Sequence, residues 1–594
     1  MPHEPCRLAG AFALLFATPA LAQTALPSQR MDSSPASETS ADTRITERGG
    51  DVRPGLGLAP GLSGFDSPLS RGPMLGGPAQ TNSAFQPTSQ GFPFQAAAPS
   101  PEDGGRRLTI TPSIAAQVLG TDNVQQTVRN ARSEFITTLT PGLFMAVDTA
   151  RLQGLLNYAP AVQFYGSDAS RPQVLQRFNG QFLASIVPDA VFLDIRGGAN
   201  TQARTGGFAP QTTATLGRGG LVQTFAYQIS PYWTHRFGDL VTVQAGYSFQ
   251  SVQQSRVGDN TTLATPGGSS AFSPTFSGNE HFVSHSVYGV ARTGPRFGPF
   301  AMEGRVISTD YDGTGVLQNA YRRSATLEAR YFVTRRVALL AEGGYEAQRY
   351  SGTPRFELSE PIWSVGTRVA LSPESGFTLR YVRRGGFNSP ALDSVFALGG
   401  RTQVFASYSE RLTTGAQRAA DFLGLTTLDS AGNPVDGLTG APAAQPFADS
   451  FLGVQSSLQR IRRASATISQ TWPRDTFALT IANERQRPVA VAFGATALEQ
   501  RGTSVTFSWS HALTPSTAAI GALQYGRLDR QGLPGSDIYG GTASLVTELA
   551  PGLSAFAQYG LSSRTGQDGD RNGTRNGSGR ALQNIVVIGL RQSF

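Results

Sequence analysis

From Leu108 onward the chain keeps a two-residue rhythm, and no other feature narrows its fold as far. Leu240 to Gln250 (LVTVQAGYSFQ) sets Val241, Val243, Ala245, Tyr247 and Phe249 on one face and Thr242, Gln244, Gly246, Ser248 and Gln250 on the other. Ser504 to Leu513 sets Val505, Phe507 and Trp509 against Thr506, Ser508 and Ser510. Phe377 to Arg383 sets Phe377, Leu379 and Tyr381 against Thr378 and Arg380. Side chains along a strand point alternately to its two sides, so each segment is predicted to be a strand with one apolar and one polar face. Period alone fits two all-β folds: a soluble sandwich with its polar face outward, or a membrane barrel whose polar face lines a lumen.

The chain ends and the strand count separate those two. The last segment, Ile585 to Phe594 (IVVIGLRQSF), places Val586, Ile588, Leu590 and the terminal Phe594 on one face. An alternating strand closed by a terminal aromatic is the pattern by which the bacterial outer-membrane assembly machinery takes up β-barrels. Gln592 stands where an aromatic is more usual. At the other end, Arg7 precedes an apolar run from Leu8 to Ala17, followed by Ala20-Leu21-Ala22 with small residues at both peptidase positions. This reads as a signal peptide over 1–22, cut before Gln23. The run is shorter than the roughly 20 residues a spanning helix needs. The single cysteine, Cys6, lies inside it, which leaves no thiol for disulfides, metals or nucleophilic chemistry in the mature chain.

Residues 23–107 are rich in Pro, Gly, Ser and Gln without periodicity, and are expected to form a disordered periplasmic leader. The barrel is expected over 108–594. Short turns are predicted at Pro188-Asp189, Gly238-Asp239, Thr334 to Arg336, Ser372 to Gly376, Pro473 to Asp475, Thr514-Pro515 and Pro551-Gly552. They alternate with long polar loops such as 201–220, 256–278 and 563–580, as periplasmic turns alternate with extracellular loops. Trp233, Phe237, Trp472 and Trp509 lie near the short turns, where an interfacial girdle belongs. About 21 strands can be marked. Periplasmic termini require an even number, giving 22 with 20 as the fallback. Between Thr413 and Arg460, AQRAADFLGL reads as a short helix and DSFLGVQSSLQ as an extra strand.

Strand phase assigns the inward charges. With Leu327, Tyr331 and Leu339 toward lipid, Glu328, Arg330 and Glu342 face the lumen. Glu303 and Arg305 turn inward opposite Met302 and Val306, Arg368 opposite Val365 and Val369, and Arg380 opposite Leu379 and Tyr381. A charge toward lipid near the midplane costs about 2–4 kcal/mol, which compels the inward placement once a barrel is accepted. Such a set serves either as a mixed-sign constriction, biased toward anions by arginine, or as a salt-bridged lining that stiffens the wall. The net charge of +8 is carried by arginine without lysine. Nucleic acid is not an expected partner of an exported barrel. His281 and His285 share a strand face but lack further ligands, so no metal and no cofactor are expected. Adjacent Ser284 and His285 point to opposite faces, and no catalytic site is expected.

Thr121-Asp122-Asn123-Val124, TLTPGLFM (Thr138 to Met145), LQGLLNYAPAVQFY and NGQFLASIVPDAVFLDIRGG form a recurring order of strands and hairpins. SYSERLTT (Ser407 to Thr414) and the RIRRASATISQTWPRDTFALTIANERQR stretch continue it. Over Leu108 to Phe594 the chain resembles the type 2 β-barrel porin family, closest to its outer-membrane branch associated with PEP-CTERM and exopolysaccharide systems. The Pro/Gly leader departs from that pattern. The resemblance implies an outer-membrane barrel tied to polysaccharide export or surface attachment, with no catalytic residues to carry over. The expected function is a porin-like channel for polar, anionic or saccharide solutes. The alternative is a non-conducting surface scaffold or adhesin whose loops bind carbohydrate. Ranked lower is a TonB-dependent receptor-like barrel lacking a clear plug. Expected partners are outer-membrane lipids and lipopolysaccharide, the barrel assembly machinery and polysaccharide-export components, and the expected location is the cell outer membrane.

Overall fold

The computed structural model describes residues 108–128, 131–203, 221–257, 280–372, 375–428, 434–436, 451–453, 455–493, 495–567 and 578–594. The expected signal peptide and leader lie outside the described residues, as do the loops 204–220, 258–279 and 568–577.

Twenty-two strands form the wall. The first six are β1 (Leu108–Thr121), β2 (Glu134–Asp148), β3 (Leu152–Tyr158), β4 (Phe178–Val187), β5 (Val191–Ala203) and β6 (Leu221–Phe237). Next come β7 (Val241–Arg256), β8 (Glu280–Thr293), β9 (Phe300–Gly313), β10 (Ala320–Phe332), β11 (Val337–Tyr350) and β12 (Phe356–Ser372). Three short strands follow, β13 (Ser375–Arg384), β14 (Phe387–Leu398) and β15 (Thr402–Thr413). The last are β16 (Ser457–Thr471), β17 (Asp475–Val491), β18 (Gln500–Thr514), β19 (Thr517–Arg530), β20 (Leu533–Ala550), β21 (Leu553–Gln567) and β22 (Ser578–Ser593). Each pairs antiparallel with its neighbours, and β1 pairs with both β2 (Leu108↔Val147) and β22 (Ser113↔Ser593, Thr121↔Ile585). The barrel is therefore closed, and its strand number is the even one the sequence predicts. Phe594 N–H donates to the Pro112 carbonyl at 2.9 Å, which ties the last residue to β1.

One stretch of wall is built in two pieces. β3 covers only one half of β2, from Leu143 to Asp148. The other half pairs with a hairpin, Ala161–Tyr165 and Asp168–Leu175, through Ile136↔Tyr165 and Leu139↔Val162. β4 then returns to pair with β3.

Burial settles which all-β fold this is. Val306 and Leu327 are 60% and 54% exposed, whereas Glu303 and Glu328, on the opposite face of the same strands, are 1% and 2% exposed. A soluble sandwich has the reverse distribution, because its apolar faces meet in the core. An apolar exterior around a polar interior is the arrangement of a transmembrane β-barrel. Val586, Ile588, Leu590 and Phe594 all lie on that exposed apolar face of β22 and the chain end. Among the described residues no helix is long and apolar enough to cross a membrane.

The short turns cluster at the end that carries Leu108 and Phe594. There Trp233, Phe237 and Trp472 are exposed. Trp509 Nε1 and His511 Nδ1 both reach Asp475 Oδ1, at 2.9 and 2.8 Å. An indole with a polar anchor suits the boundary between hydrocarbon and water.

The opposite end is shaped by the segment between β15 and β16. Its helix α1 (Gly415–Leu425) starts at a capping box: Thr414 Oγ1 accepts from Gln417 N–H at 3.0 Å, and Gln417 Oε1 accepts from Thr414 N–H at 3.1 Å. Ala416, Ala419, Ala420 and Leu423 fall at helical spacing and are all buried. Of the extra strand expected over 449–459, the described residues 451–453 and 455–456 are not in a strand, and 457–459 open β16. The apolar residues before β16 pack instead of pairing: the Phe451 ring and Leu452 lie against Gly502 on β18, where a Cβ would be 2.6 Å from the ring. The ladder begins only at Ser457.

Candidate functional site

The bore is the only place where this fold concentrates polar chemistry among the described residues, and its two sides differ. On one side, register sets Glu303 (β9) beside Glu328 (β10) and Glu328 beside Glu342 (β11). Three neighbouring carboxylates repel one another unless cations stand between them. Glu303 Oε1 meets Arg305 Nη2 at 2.9 Å, and its Oε2 meets Arg292 Nε at 2.8 Å. Glu328 Oε2 lies 3.0 Å from Arg380 Nη2, while Arg380 Nη1 donates to Ser364 Oγ at 3.3 Å and sits 3.8 Å from Glu342. Arg384 Nη2 reaches Glu342 Oε1 at 2.7 Å. Of the inward charges named from sequence, Glu303 and Arg305 thus form one ion-pair group and Glu328, Glu342 and Arg380 a second, set side by side by the Glu303–Glu328 register. Arg330 and Arg368 lie a step nearer the terminal end. Arg330 is 2% exposed with its guanidinium 5.7 Å from the Phe332 ring, and Arg368 is half-buried opposite Ala338.

Sequence reasoning missed Arg292, Arg384 and Glu346. Arg384 shares the phase of Arg380 and Glu346 that of Glu342, so the alternation used for their neighbours would have found both. Glu346 is 1% exposed and accepts a hydrogen bond from Gly385 N–H, while Gly386 N–H donates to Glu360 Oε1 at 2.7 Å. Gly385 and Gly386 turn β13 into β14 with φ of 64° and 84°, a conformation that favours glycine and aims both amides at carboxylates.

α1 is placed inside this bore by the residues it touches. Its charged side pairs with the wall strands beside its start: Arg418 with Glu484 (β17) at 3.0 Å, and Asp421 with Arg411 (β15) at 3.6 Å. Burial raises the pKa of the Asp421 carboxyl, with Arg411 and Arg322 opposing the shift. Its apolar stripe joins a cluster with Ala226, Val252 and Phe282 on β6, β7 and β8, across the barrel order. At its far end, Arg196 Nη1 on β5 donates to the Leu423 carbonyl at 3.0 Å, while Asp194 holds the Arg196 guanidinium at 2.8 Å. The connection after β11 also meets the end of β17: Thr353 and Val491 exchange backbone hydrogen bonds at 2.8 and 3.2 Å. These contacts roof part of the end opposite the termini.

The other side of the bore, from β1 to β8, is faced mainly by glutamine, serine and threonine. Over the β1–β22 seam, Gln126 Nε2 donates to Gln583 Oε1 at 2.7 Å, Gln583 Nε2 to the Asn123 carbonyl at 2.7 Å, and Asn123 Nδ2 to the Leu582 carbonyl at 2.9 Å. The Asp122-Asn123-Val124 loop is thereby folded down on the last strand. On β6 to β8, Gln228 donates to Ser230 (3.0 Å), Ser230 to Ser248 (2.8 Å) and Gln250 back to Gln228 (3.0 Å). Ser284 is buried in that row, while neighbouring His285 is turned outward, 2.5 Å from the Tyr247 hydroxyl. Among the described residues no group of His, Cys, Asp or Glu side chains is arranged to hold a metal ion.

The sequence matches no family model and none of the curated proteins. Among solved structures it aligns at low identity with two receptors and with OccK2. The siderophore receptor PirA from Acinetobacter baumannii aligns at 9% identity over 82% of this chain and 81% of its own, with a TM-score of 0.44. The ferric-catecholate import receptor Fiu from E. coli K12 aligns at 9% identity over 81% of both chains, with a TM-score of 0.41. OccK2 (OpdF) from Pseudomonas aeruginosa aligns at 8% identity over 82% of this chain and 98% of its own, with a TM-score of 0.32.

Proposed function

We propose that the chain is a porin-like outer-membrane barrel that carries polar solutes through its bore. One observation supports this above the others: the interior of a closed, lipid-compatible wall is faced by polar side chains of two kinds, a paired ionic row and a neutral amide lining. A wall needed only as an anchor gains nothing from burying so many groups that must each find a partner. The arginine-carboxylate row presents both signs, which orients dipolar and anionic solutes, and the amide side accepts uncharged ones. The barrel faces outer-membrane lipid and lipopolysaccharide, and the terminal strand from Val586 to Phe594 is its signal to the assembly machinery. The resemblance to the exopolysaccharide-associated branch of the type 2 β-barrel porins favours a saccharide among the solutes and export components among the partners.

A second reading, a non-conducting surface scaffold, is favoured by one specific feature. α1 and the Thr353–Val491 junction cover part of the end opposite the termini. Planar-bilayer recording of the purified full chain separates the two. Discrete conductance steps with a reversal potential set by solute charge are the expected result. A heat-modifiable, folded barrel that inserts and remains electrically silent would leave only the scaffold.

A further inference from the structure

Outside the wall, at the end opposite the termini, four neighbouring strands carry a belt of arginine. Arg462 (β16) stands opposite Arg485 (β17), Arg485 opposite Arg501 (β18), and Arg501 opposite Asp529 (β19). Arg487 on β17 and Arg527 on β19 are one two-residue step away from this row. All five arginines are exposed. Strand phase puts them on the lipid-facing side, because Ile468, Ile481, Phe507 and Leu523 share their phase strand by strand and form exposed apolar wall below them.

The height of the belt follows from the strand geometry. Trp509 marks the girdle at the terminal end, and Arg501 stands eight residues further along β18. At roughly 3.4 Å per residue and a tilt of about 40°, that separation is about 21 Å along the membrane normal, near the roughly 25 Å of an apolar band. The belt therefore sits where the outer leaflet's hydrocarbon meets its headgroups. Tyr525 and Tyr539, exposed and with ring centroids 5.1 Å apart, flank it as an interfacial aromatic pair.

Like charges directly opposite one another on neighbouring strands repel, so such a row needs counter-charge. The protein supplies part of it. Arg485 Nε meets Glu499 Oε1 at 2.6 Å, Arg462 shares Glu410 with Arg460, and Arg527 lies 3.3 Å from Asp529. Arg487 and Arg501 pair with no carboxylate among the described residues. The exterior of β9 to β12 at the same end is arranged differently. There Asp310 stands opposite Tyr321, Tyr321 opposite Arg349 and Arg349 opposite Glu357, with Arg323 3.6 Å from Asp310. Signs alternate on that arc and accumulate on β16 to β18.

We propose that the belt is a binding site for the phosphorylated headgroup of an outer-leaflet glycolipid whose acyl chains lie on the apolar wall below. The cationic row and the apolar face are continuous on the same strands, which fits an amphipath with its anionic groups gathered at one level. A guanidinium offers paired N–H donors to a phosphate. Adjacent strands lie roughly 4.8 Å apart, so neighbouring arginines reach one multiply charged headgroup together. The site rests on the outer-membrane reading given above and is independent of transport.

The test uses the full chain in neutral detergent, titrated with diphosphoryl lipid A, with fully dephosphorylated lipid A and with inorganic phosphate. Bound lipid is counted after size exclusion. The diphosphoryl form is expected to bind in preference, and added salt to weaken it. Arg487→Gln combined with Arg501→Gln is expected to weaken that binding by roughly tenfold or more. The same double variant should be as stable as the parent, or more so, in lipid-free detergent, since it relieves repulsion. Arg323→Gln combined with Arg349→Gln is expected to leave the binding unchanged. Equal binding of the dephosphorylated lipid by the parent overturns the site. So does displacement of the lipid by inorganic phosphate at the same concentration, or full binding by the Arg487/Arg501 variant. A loss of stability in that variant without lipid would make the belt structural and overturn the site as well. Conductance is scored separately. A silent bilayer with phosphate-dependent lipid binding removes transport and keeps the site, and normal conductance with phosphate-independent binding removes the site alone.

Discussion

The arc of wall from β8 to β13 and the arc from β1 to β8 share one exterior and differ in what they bury. On the first, carboxylates and guanidiniums lock one another: Glu303 with Arg292 and Arg305, Glu328 with Arg380, Glu342 with Arg384. On the second, neutral side chains close a hydrogen-bonded row at Gln228, Ser230, Ser248 and Gln250, while each arc keeps buried polar atoms without a hydrogen-bond partner among the described residues, Glu328 Oε1 on the first and Gln163 Oε1 on the second. Ionic groups in a bore must pair almost completely, because an isolated buried charge costs far more than an isolated amide. The charged arc holds its shape through ion pairs, and the amide arc through neutral hydrogen bonds from strand to strand.

The comparison breaks most sharply at Arg380. Arg380→Ala strands the Glu328 carboxylate, and the folded barrel should lose about 3–5 kcal/mol, read as a fall in the temperature at which it unfolds on a heat-modifiability gel. Adding Glu328→Gln should recover much of the loss. An Arg380→Ala barrel as stable as the parent would mean that water, not Arg380, compensates the row.

The exterior should not distinguish the arcs at all. Val306→Arg on β9 and Ile114→Arg on β1 each place a cation on the lipid face and should cost about 2–4 kcal/mol in folding from denaturant into lipid vesicles. A large gap between the two would show that one arc does not face hydrocarbon.

Glu484 links the wall to α1. Glu484→Gln removes the charge that holds Arg418 at 3.0 Å, and about 1.5–3 kcal/mol of charge-assisted bonding goes with it. Single-channel conductance should rise as α1 loosens; an unchanged conductance would place the limiting constriction elsewhere. The smallest effect sharpens the contrast within the amide arc. Ser230→Ala breaks a satisfied row and should destabilise by about 1 kcal/mol in the same heat-modifiability assay.

Several elements were legible from residues alone. The alternation in Leu240 to Gln250 and the terminal strand marked wall strands, and the parity argument reached the observed 22. AQRAADFLGL was legible as a helix, and its Thr414–Gln417 capping box, once noticed, also gives its start. Phase placed Glu303 and Glu328 on one side of their strands because a strand has only two sides. The Phe451-Leu452 segment misled for a related reason: an apolar run that packs on Gly502 has the same composition as one that pairs. Arg292 as a partner of Glu303 was beyond reach, since strand phase does not tell which residue of a neighbouring strand stands opposite.

Alone, the sequence determined the cylinder: local periodicity, the closing strand and the even count suffice, because each depends on neighbouring residues or on counting. Only the tertiary structure decided what the interior does. The match of Gln117 to Gln173 across three strand pairings, the reach of α1 from Glu484 to Arg196, and the meeting of Thr353 with Val491 depend on register and closure. Those are properties of the assembled ring, set by how every hairpin's offset adds to the next, and no single segment carries them.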